Sequence, residues 1–415
     1  MSADVSGSFR SSKLGPATLR ALPTGIWAMG LGSMFMDTSS ELIHSLLPVF
    51  MVTGLGASMV TVGVIEGVAE ATAAITKVFS GTLSDFLRRR KSLMVLGYSL
   101  AALTKPAFPL ATSVGWVFGA RFVDRMGKGI RGAPRDALVA DIAPPALRGA
   151  AYGLRQALDS VGAILGPLLA VMFMVWFSND IRSVMWIAVL PAFVAVALLV
   201  AYVREPEHGT AGSAGASPFA LVDVRRLSLR YWLVVLLGAV FTLARFSEAF
   251  LVLRAQDVGL ELGLVPLVMI AMNLFYAAFA YPAGAAADRL NPRTLLLAGL
   301  ILLIAADLVL AVAAVPLVAF LGAALWGSHM ALTQGLLSKL VADASPSELR
   351  GTAFGFFNLI TGLGLLLASI IAGEMWNAFG ASATFMAGAG FAGVSALGLL
   401  AYRMRPQPAK SKSPS

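Results

Sequence analysis

The stretch VADIAPPALRGAAYG at residues 139–153 returns as VADASPSELRGTAFG at residues 341–355. The second copy follows the first by 202 positions (341 minus 139) in a chain of 415 residues. Nine of the 15 positions are identical, among them Arg148 and its counterpart Arg350. Agreement of this extent, at a spacing of about half the chain, indicates two related halves.

The amino-acid composition predicts that both halves lie in a membrane. Hydrophobic residues make up 58% of the chain and charged residues only 13%, whereas soluble domains carry about 25% charged residues. The mean hydropathy is +0.81. Apolar runs of about 20 residues, long enough to cross a hydrocarbon core as a helix, recur twelve times, six in each half. The predicted spans are 24–53, 59–83, 92–111, 114–138, 150–177, 181–203, 231–253, 264–286, 294–314, 316–338, 352–373 and 380–402.

A second repeated pair supports two equivalent bundles. GTLSDFLRRRK at residues 81–91 has a counterpart in GAAADRLNPR at residues 284–293, with Asp85 matching Asp288. Two halves in parallel repeat are typical of a carrier that rocks around a site between them. We therefore predict an all-α membrane protein with twelve transmembrane helices in two pseudo-symmetric six-helix bundles. The predicted units are a cytoplasmic leader at 1–23, bundles at 24–203 and 231–402, a cytoplasmic linker at 204–230 and a disordered basic tail at 403–415.

Basic residues are concentrated in alternate loops. One such loop contains RRRK at residues 88–91, and the opposite loops GLGAS (54–58) and ATSVG (111–115) contain no basic residue. Because Lys and Arg are retained on the cytoplasmic side, both termini are predicted to face the cytoplasm, at a bacterial-type inner membrane or an intracellular membrane. This asymmetry explains the net charge of +9, so we expect a lipid bilayer and no nucleic acid as partner.

Three short motifs lie in the loop after the second span, in the fourth span and in the fifth span. Their matching residues are Gly81, Leu83, Ser84, Asp85, Arg89 and Arg90; Arg121, Gly127 and Gly129; and Gly162, Gly166 and Pro167. They resemble the signatures G-x-L-[AS]-D-R-x-G-R-[RK], R-x-x-Q-G-x-G-x-G and G-x-x-x-G-P of the major facilitator superfamily. The first motif departs from its signature at Phe86 and Arg88, and the second at Asp124 and Arg125.

The resemblance implies a carrier of the proton-coupled exporter type, similar to bacterial permeases for metal resistance or intracellular iron handling. In the fifth span, Gly162, Gly166 and Pro167 let helices approach closely and bend, either as part of export or for packing alone. Asp85 and Asp288 lie beside basic clusters, where charge-assisted bonds hold the bundles together in one state or anchor the loops. The predicted latch residues are Asp85, Arg89, Arg90, Arg148, Asp288, Arg289, Arg293 and Arg350.

Charged side chains inside the spans are candidates for function, because each costs about 2.5 kcal/mol or more in lipid. The acids of the first two spans either neutralise the bases of the fourth span or exchange protons, as a carboxylate in a low-dielectric medium can. We assign Arg121, Arg131 and Arg135 to the neutralising network. The candidate substrate and proton-coupling residues are Asp37, Glu41, His44, Glu66, Glu70, Arg125, Lys128, Asp159 and Glu248.

A metal site is a further interpretation of the first span. Glu41 and His44 stand at the E-x-x-H spacing that places two ligands on one helix face, and Asp37 adds an oxygen one turn away. The alternative is that His44 is hydrogen-bonded to acids of the fourth span or to water.

Three functions remain open from the sequence. The first is a proton-coupled exporter of a cation, either a divalent metal such as iron or nickel or a drug-like molecule. The second is an importer or exchanger of a small organic anion bound by Arg125, Lys128 and Arg131, and the third is a membrane protein without transport that acts in scaffolding or sensing. No GxxxxGK[ST] nucleotide loop is present, so we expect an ion gradient as the energy source, no cofactor and no enzymatic activity.

Overall fold

The protein is all-helical over the residues that the computed structural model describes, which are 20–87, 89–205, 227–346 and 349–401. The first half contains α1 Thr24–Val49, α2 Met59–Leu87, α3 Arg90–Thr104, α4 Val114–Ile142, α5 Arg148–Trp176, α6 Ile181–Ile187 and α7 Val189–Tyr202. The second half contains α8 Leu229–Leu243, α9 Ala249–Asp257, α10 Leu267–Arg289, α11 Pro292–Ala311, α12 Pro316–Ala344, α13 Arg350–Phe379 and α14 Ala381–Ala401.

These fourteen helices make twelve crossings. Two of the crossings consist of two helices each, α6 with α7 in one case and α8 with α9 in the other. Within the described residues, eight crossings are long and apolar enough to span a membrane by length and composition alone. The other four are α1, α3, α4 and the α8–α9 crossing. Several charges on α4 and the short lengths of α3 and α8 explain why composition alone does not mark three of these four crossings. The predicted fold of twelve transmembrane helices is confirmed.

Polar side chains begin several of the helices. The Ser113 hydroxyl accepts a hydrogen bond from the Trp116 backbone N–H at the start of α4, and Asn291 caps α11 in the same way. At α6, Asp180 accepts from the backbone N–H of Arg182. The Ser183 hydroxyl also donates to the Asp180 carboxylate and lowers its pKa below the ordinary value. Each cap satisfies a backbone donor that a helix start leaves without a partner.

Two predicted spans are interrupted. The seventh was expected to be continuous over 231–253, but the chain leaves the helix between α8 and α9. The hydroxyl oxygen of Ser369 accepts the backbone N–H of Ser247, and the Ser247 hydroxyl oxygen accepts that of Ala249. The sixth is broken at Ala188, whose carbonyl accepts a hydrogen bond from the Ser39 hydroxyl. Serine hydroxyls therefore replace helical hydrogen bonds at both breaks.

The two bundles pack against each other along α2 with α13 and along α5 with α10. We call the end at which α1 begins and α2 ends the basic end, and the other the opposite end. Near the opposite end, a side chain at Gly63 would clash with the Ser369 carbonyl oxygen, and one at Gly373 would meet that of Met59 at 2.6 Å. The halves are therefore closely joined at the opposite end.

Most of the predicted leader and linker, and all of the predicted tail, lie outside the described residues. The predicted unit boundaries therefore stay predictions. What the structure does describe is a first set of six crossings that ends at Tyr202 and a second set that begins at Leu229.

Candidate substrate cavity

A cavity of about 710 Å³ lies between the two bundles. Helices α1, α2, α4 and α5 line it from the first half, and α8, the break that follows it, α12 and α13 line it from the second half. We call it the central cavity. Its walls combine charged side chains with aromatic ones, of which Phe241, Phe246 and Phe357 all belong to the second half. A pocket of this size, reached by both halves, is the place where a carrier of this form holds a solute.

Charges of both signs line the central cavity, and all but two of them come from the first half. With His44 neutral, six bases against five acids leave a formal charge of +1. The acids are Asp37, Glu41, Glu70, Asp159 and Glu248. The bases are Lys77, Arg125, Lys128, Arg131, Arg135 and Arg245.

Three of the five acids stand within ion-pair distance of an arginine. The Glu70 carboxylate is 3.3 Å from the Arg125 guanidinium, and the Asp37 carboxylate is 3.9 Å from Arg131. Asp159 accepts a hydrogen bond of 2.9 Å from Arg155, one turn earlier on α5. These acids are largely neutralised by neighbours from their own half.

Three bases of the cavity have no such partner. Lys77, Lys128 and Arg245 make no hydrogen bond or ion pair from their side chains within the described residues, and Lys77 and Lys128 are exposed to the cavity. Among the cavity carboxylates, Glu248, in the break that follows α8, likewise makes no hydrogen bond or ion pair from its side chain within the described residues. Arg125, by contrast, has a side chain only 2% exposed and engaged with Glu70. The charge available to a solute is therefore mainly positive.

A second set of charges lies behind the cavity wall in the first half. Glu66 is fully buried and accepts a hydrogen bond of 2.7 Å from Arg121. Lys105 is 1% exposed and donates to Asp124 at 2.8 Å and to the Ser40 hydroxyl at 3.0 Å. Such pairs hold charges in a low-dielectric interior because each has a partner of opposite sign. Glu66 consequently takes no part in lining the central cavity.

His44 links this buried set to the cavity. Its Nδ1 atom is 3.6 Å from the Glu41 carboxylate and its Nε2 atom is 3.5 Å from Glu66. The predicted contact of His44 with acids of the fourth span is wrong, because the acid beyond its own helix is Glu66 of α2. A proton on the imidazole would make both contacts ion pairs.

Comparison with known proteins agrees with this geometry. The family model described as Major Facilitator Superfamily matches residues 29–272 and 239–415. The chain belongs to the major facilitator superfamily. It is therefore a membrane transporter and not an enzyme, and family members carry small-molecule substrates.

One relative and two solved structures illustrate this membership. An uncharacterized MFS-type transporter of Methanocaldococcus jannaschii is 33% identical over 389 residues, which is 92% of this chain and 95% of that protein. The structure of a mutant of the nucleoside transporter NupG has a TM-score of 0.76 at 14% identity, over 91% of this chain and 99% of that one. A D-xylose-proton symporter has a TM-score of 0.71 at 16% identity, over 91% and 96%. At such identities the two structures support the fold alone.

The three candidate metal ligands of this major facilitator protein do not form a metal site in the structure. Among the described residues, no group of three or more His, Cys, Asp or Glu side chains is placed to hold a metal ion. Glu41 contacts His44, but Asp37 is instead within 3.9 Å of the cation Arg131. The E-x-x-H spacing fixes which helix face the residues share, whereas their partners depend on α2 and α4.

The predicted latch residues are only partly described. The side chains of Asp85, Asp288, Arg289 and Arg350 lie outside the described residues, so the latch stays a prediction. Arg90 pairs with Asp141 at the end of α4, in its own bundle. Arg148 donates to the Ala140 carbonyl oxygen at 3.1 Å. Arg293 donates to the Leu400 carbonyl oxygen, and Arg89 lies exposed at the start of α3.

The third motif lies where α5 meets α1. A side chain at Gly162 would stand 2.5 Å from the Met34 carbonyl oxygen, and one at Gly166 would stand 2.6 Å from that of Thr38. Pro167 lies inside α5 and is buried. The glycines therefore permit a backbone contact between these two helices.

Four cavity bases are absent from the sequence-based site: Arg131 and Arg135 were assigned to the neutralising network, and Lys77 and Arg245 were given no role. The repeat could have indicated Arg245. Its equivalent position in the first half, 203 residues earlier, is 42 (245 minus 203), which is next to the candidate residue Glu41. Lys77 has no comparable signal, because near the end of a span a lysine is also expected to reach the interface.

Proposed function

We propose that this transporter carries a small organic anion through the central cavity, driven by a proton gradient. The observation that carries the proposal is the pair Lys128 and Arg245. These cations come from different halves, face one cavity, and lack an ion-pair partner within the described residues. Of the two solute classes considered from the sequence, the organic anion fits these charges better than the cation.

Binding between Lys128 and Arg245 would connect the two halves. A carboxylate or phosphate held between them gains charge-assisted hydrogen bonds from both sides. Since the halves move relative to each other during transport, such a solute stabilises the arrangements in which both cations reach it. Glu248, one turn beyond Arg245, would exclude solutes with a second negative charge at that point.

Carboxylates in the cavity supply a route for proton coupling. Asp37, Glu41 and Asp159 all line the cavity from α1 and α5. Protonation of these acids changes the charge of the cavity and, with it, the affinity for an anion. The chain contains no nucleotide-binding loop of the GxxxxGK[ST] type, which leaves an ion gradient as the source of energy.

Uptake into proteoliposomes tests the solute class. We would offer labelled small organic acids, cationic dyes and divalent metals, each with and without a pH gradient. Organic-acid uptake should fall at least tenfold in Lys128→Gln and in Arg245→Gln, about the loss of 1.4 kcal/mol or more of binding, and persist in Lys128→Arg. Lys91→Gln is the matched control, because Lys91 bonds the Val200 carbonyl oxygen outside the cavity. Uptake of dyes or metals without any organic acid would contradict the proposal.

Two further variants test the coupling of transport to the proton gradient. Asp37→Asn and Glu41→Gln should abolish accumulation driven by a pH gradient and leave exchange without a gradient. Each removes a titrating group while keeping the shape of the side chain. Gradient-driven accumulation equal to that of the unaltered protein in both variants would remove these acids from coupling.

The orientation follows from charge. We infer that the basic end faces the cytoplasm, because Lys and Arg are retained there, so that both chain termini are cytoplasmic. Proteolysis of a terminal tag in inside-out but not right-side-out vesicles is the expected result. Cleavage of an N-terminal and a C-terminal tag from different sides would contradict it.

A further inference from the structure

A carboxyl group lies buried behind the cavity wall in the second half. Asp307 on α11 is 0% exposed. Neither of its carboxyl oxygens has a hydrogen-bond partner among the described residues. This differs from Glu66 and Asp124 in the first half, which are as deeply buried but are each bonded to a cation.

The surroundings of Asp307 are apolar. A side chain at Gly388 would lie 2.6 Å from Asp307 Oδ2 and 2.9 Å from the Phe246 ring, so the carboxyl and that ring converge on this glycine. Phe246 in turn packs on Trp326 and Phe385, with ring centroids 5.3 and 5.5 Å away. The glycine leaves room for the carboxyl, but no polar group of the described residues bonds it.

The charged groups of the neighbouring elements are engaged elsewhere or face the cavity. Arg254 on α9 donates to the carbonyl oxygens of Leu310, Ala311 and Ala313 and pairs with Asp257. His329 on α12 has its Nδ1 atom 2.8 Å from the Gly299 carbonyl oxygen, and its Nε2 atom has no hydrogen-bond partner among the described residues, Asp307 included. Arg245 and Glu248 line the central cavity, and α14 has no charged residue.

We propose that Asp307 is a proton-binding site, separate from the acids of the central cavity. An ionised carboxylate without a partner is strongly disfavoured in apolar surroundings, and a bound proton removes that charge without further ligands. A metal cation would need several oxygen ligands, whereas no group of three or more His, Cys, Asp or Glu side chains among the described residues, at Asp307 or elsewhere, is placed to hold one. The proton therefore resides on Asp307 while the surrounding rings are closed.

Phe246 controls the route from the cavity to this proton. Its ring lines the central cavity and also stands beside Asp307 at Gly388. It belongs to the break between α8 and α9, where helical hydrogen bonds are replaced by serine contacts. Movement of this short segment would open Asp307 to the cavity without unfolding a helix.

Infrared spectroscopy of the purified protein tests the site without any solute. The unaltered protein should show the carbonyl band of a protonated carboxylic acid, and Asp307→Asn should lose it. Asp180→Asn, which changes a capping aspartate outside the membrane, should keep it. An unchanged spectrum in Asp307→Asn would overturn the proposal, and so would loss of the band on adding sodium chloride at constant pH, which would indicate a cation site.

Substitutions at two glycines provide a second test of the assignment in case Asp307→Asn does not fold. Gly388→Ala places a methyl group against Oδ2 and should shift the band, whereas Gly390→Ala has nothing within 4 Å and should leave it in place. The same band in both variants would contradict the assignment to Asp307.

Hydrogen–deuterium exchange of the carboxyl tests the route. After transfer to D₂O, the band should shift several-fold faster in Phe246→Leu than in Phe250→Leu. The second ring belongs to the same aromatic cluster but does not line the cavity. Equal exchange rates in the two variants would show that Phe246 is not the barrier.

Discussion

Two carboxylates one turn apart on α2 are held differently. Glu66 is fully buried against Arg121, while the Glu70 side chain is 31% exposed beside Arg125. The sequence predicted that acids of the second span would face bases of the fourth, because both sets recur at helical spacing. It did not predict which pair is sealed from the cavity, since that depends on how α1 and α4 pack against α2.

This difference predicts unequal effects on stability. Glu66→Gln removes the fully buried carboxylate to which Arg121 donates a hydrogen bond and should lower the free energy of unfolding by about 3 kcal/mol or more. Glu70→Gln should cost about 1 kcal/mol or less, because its carboxylate is partly solvated. Both arginines keep Asp124, at 3.9 and 3.7 Å, so the burial of the lost carboxylate makes the difference. Denaturant unfolding in detergent measures both. Equal losses would show that the two pairs share one environment.

Substitution of Gly166 is expected to disturb the packing of α5 against α1. In Gly166→Ala the new methyl group meets the Thr38 carbonyl oxygen at 2.6 Å and the Glu41 Cβ atom at 2.8 Å. Forcing α5 from α1 should lower the free energy of unfolding by about 1–3 kcal/mol. Gly119→Ala on α4 is the control, because nothing lies within 4 Å of its added atom. Similar stability of both variants would show that α1 and α5 separate without loss.

At the scale of the element, the crossing formed by α8 and α9 is the least predictable from sequence. The hydropathy pattern predicts one apolar run over 231–253, and the break at residues 244–248 contains no Gly or Pro that would indicate it. The break depends on Ser369, which lies on α13, 122 positions from Ser247. A contact so distant in sequence leaves no local pattern, whereas the ends of α4 and α11 carry recognisable caps.

Ser369→Ala should therefore destabilise the break. It leaves the Ser247 backbone N–H buried without an acceptor, which costs about 1–3 kcal/mol. Ser395→Ala is the matched control, because among the described residues that buried hydroxyl donates only to the Phe391 carbonyl oxygen of its own helix. The unfolding free energy of Ser395→Ala should stay close to that of the unaltered protein. Unfolding in denaturant distinguishes the two, and equal stability would mean that water replaces the lost acceptor.

For the whole molecule, the repeated stretch at 139–153 and 341–355 was enough to predict two six-helix bundles. It did not predict how unequal they are in charge. The first half contributes nine of the eleven acids and bases of the central cavity, and the second contributes Arg245 and Glu248 together with its aromatic side chains. The fold follows from features that the halves share, whereas the solute site arises from features in which they differ.

The contact of the halves at the opposite end predicts one-sided access to the cavity. The Met174 Cβ atom is 3.7 Å from the position of a Cβ atom at Gly263, within the usual range for a disulfide. The chain contains no cysteine, so Met174→Cys with Gly263→Cys can be oxidised without competition from native thiols. Adding Lys128→Cys places a third thiol in the cavity as a probe of access.

The disulfide should hold the opposite end closed. A membrane-impermeant maleimide should label residue 128 from both sides of the membrane in the reduced protein, but only from the basic end after oxidation. Reduction of the disulfide should restore labelling from the opposite end. Single-cysteine variants treated with the same oxidant control for side reactions. If oxidation left labelling from the opposite end unchanged, the bundles would not separate there, and transport would need a path other than rocking of the two halves.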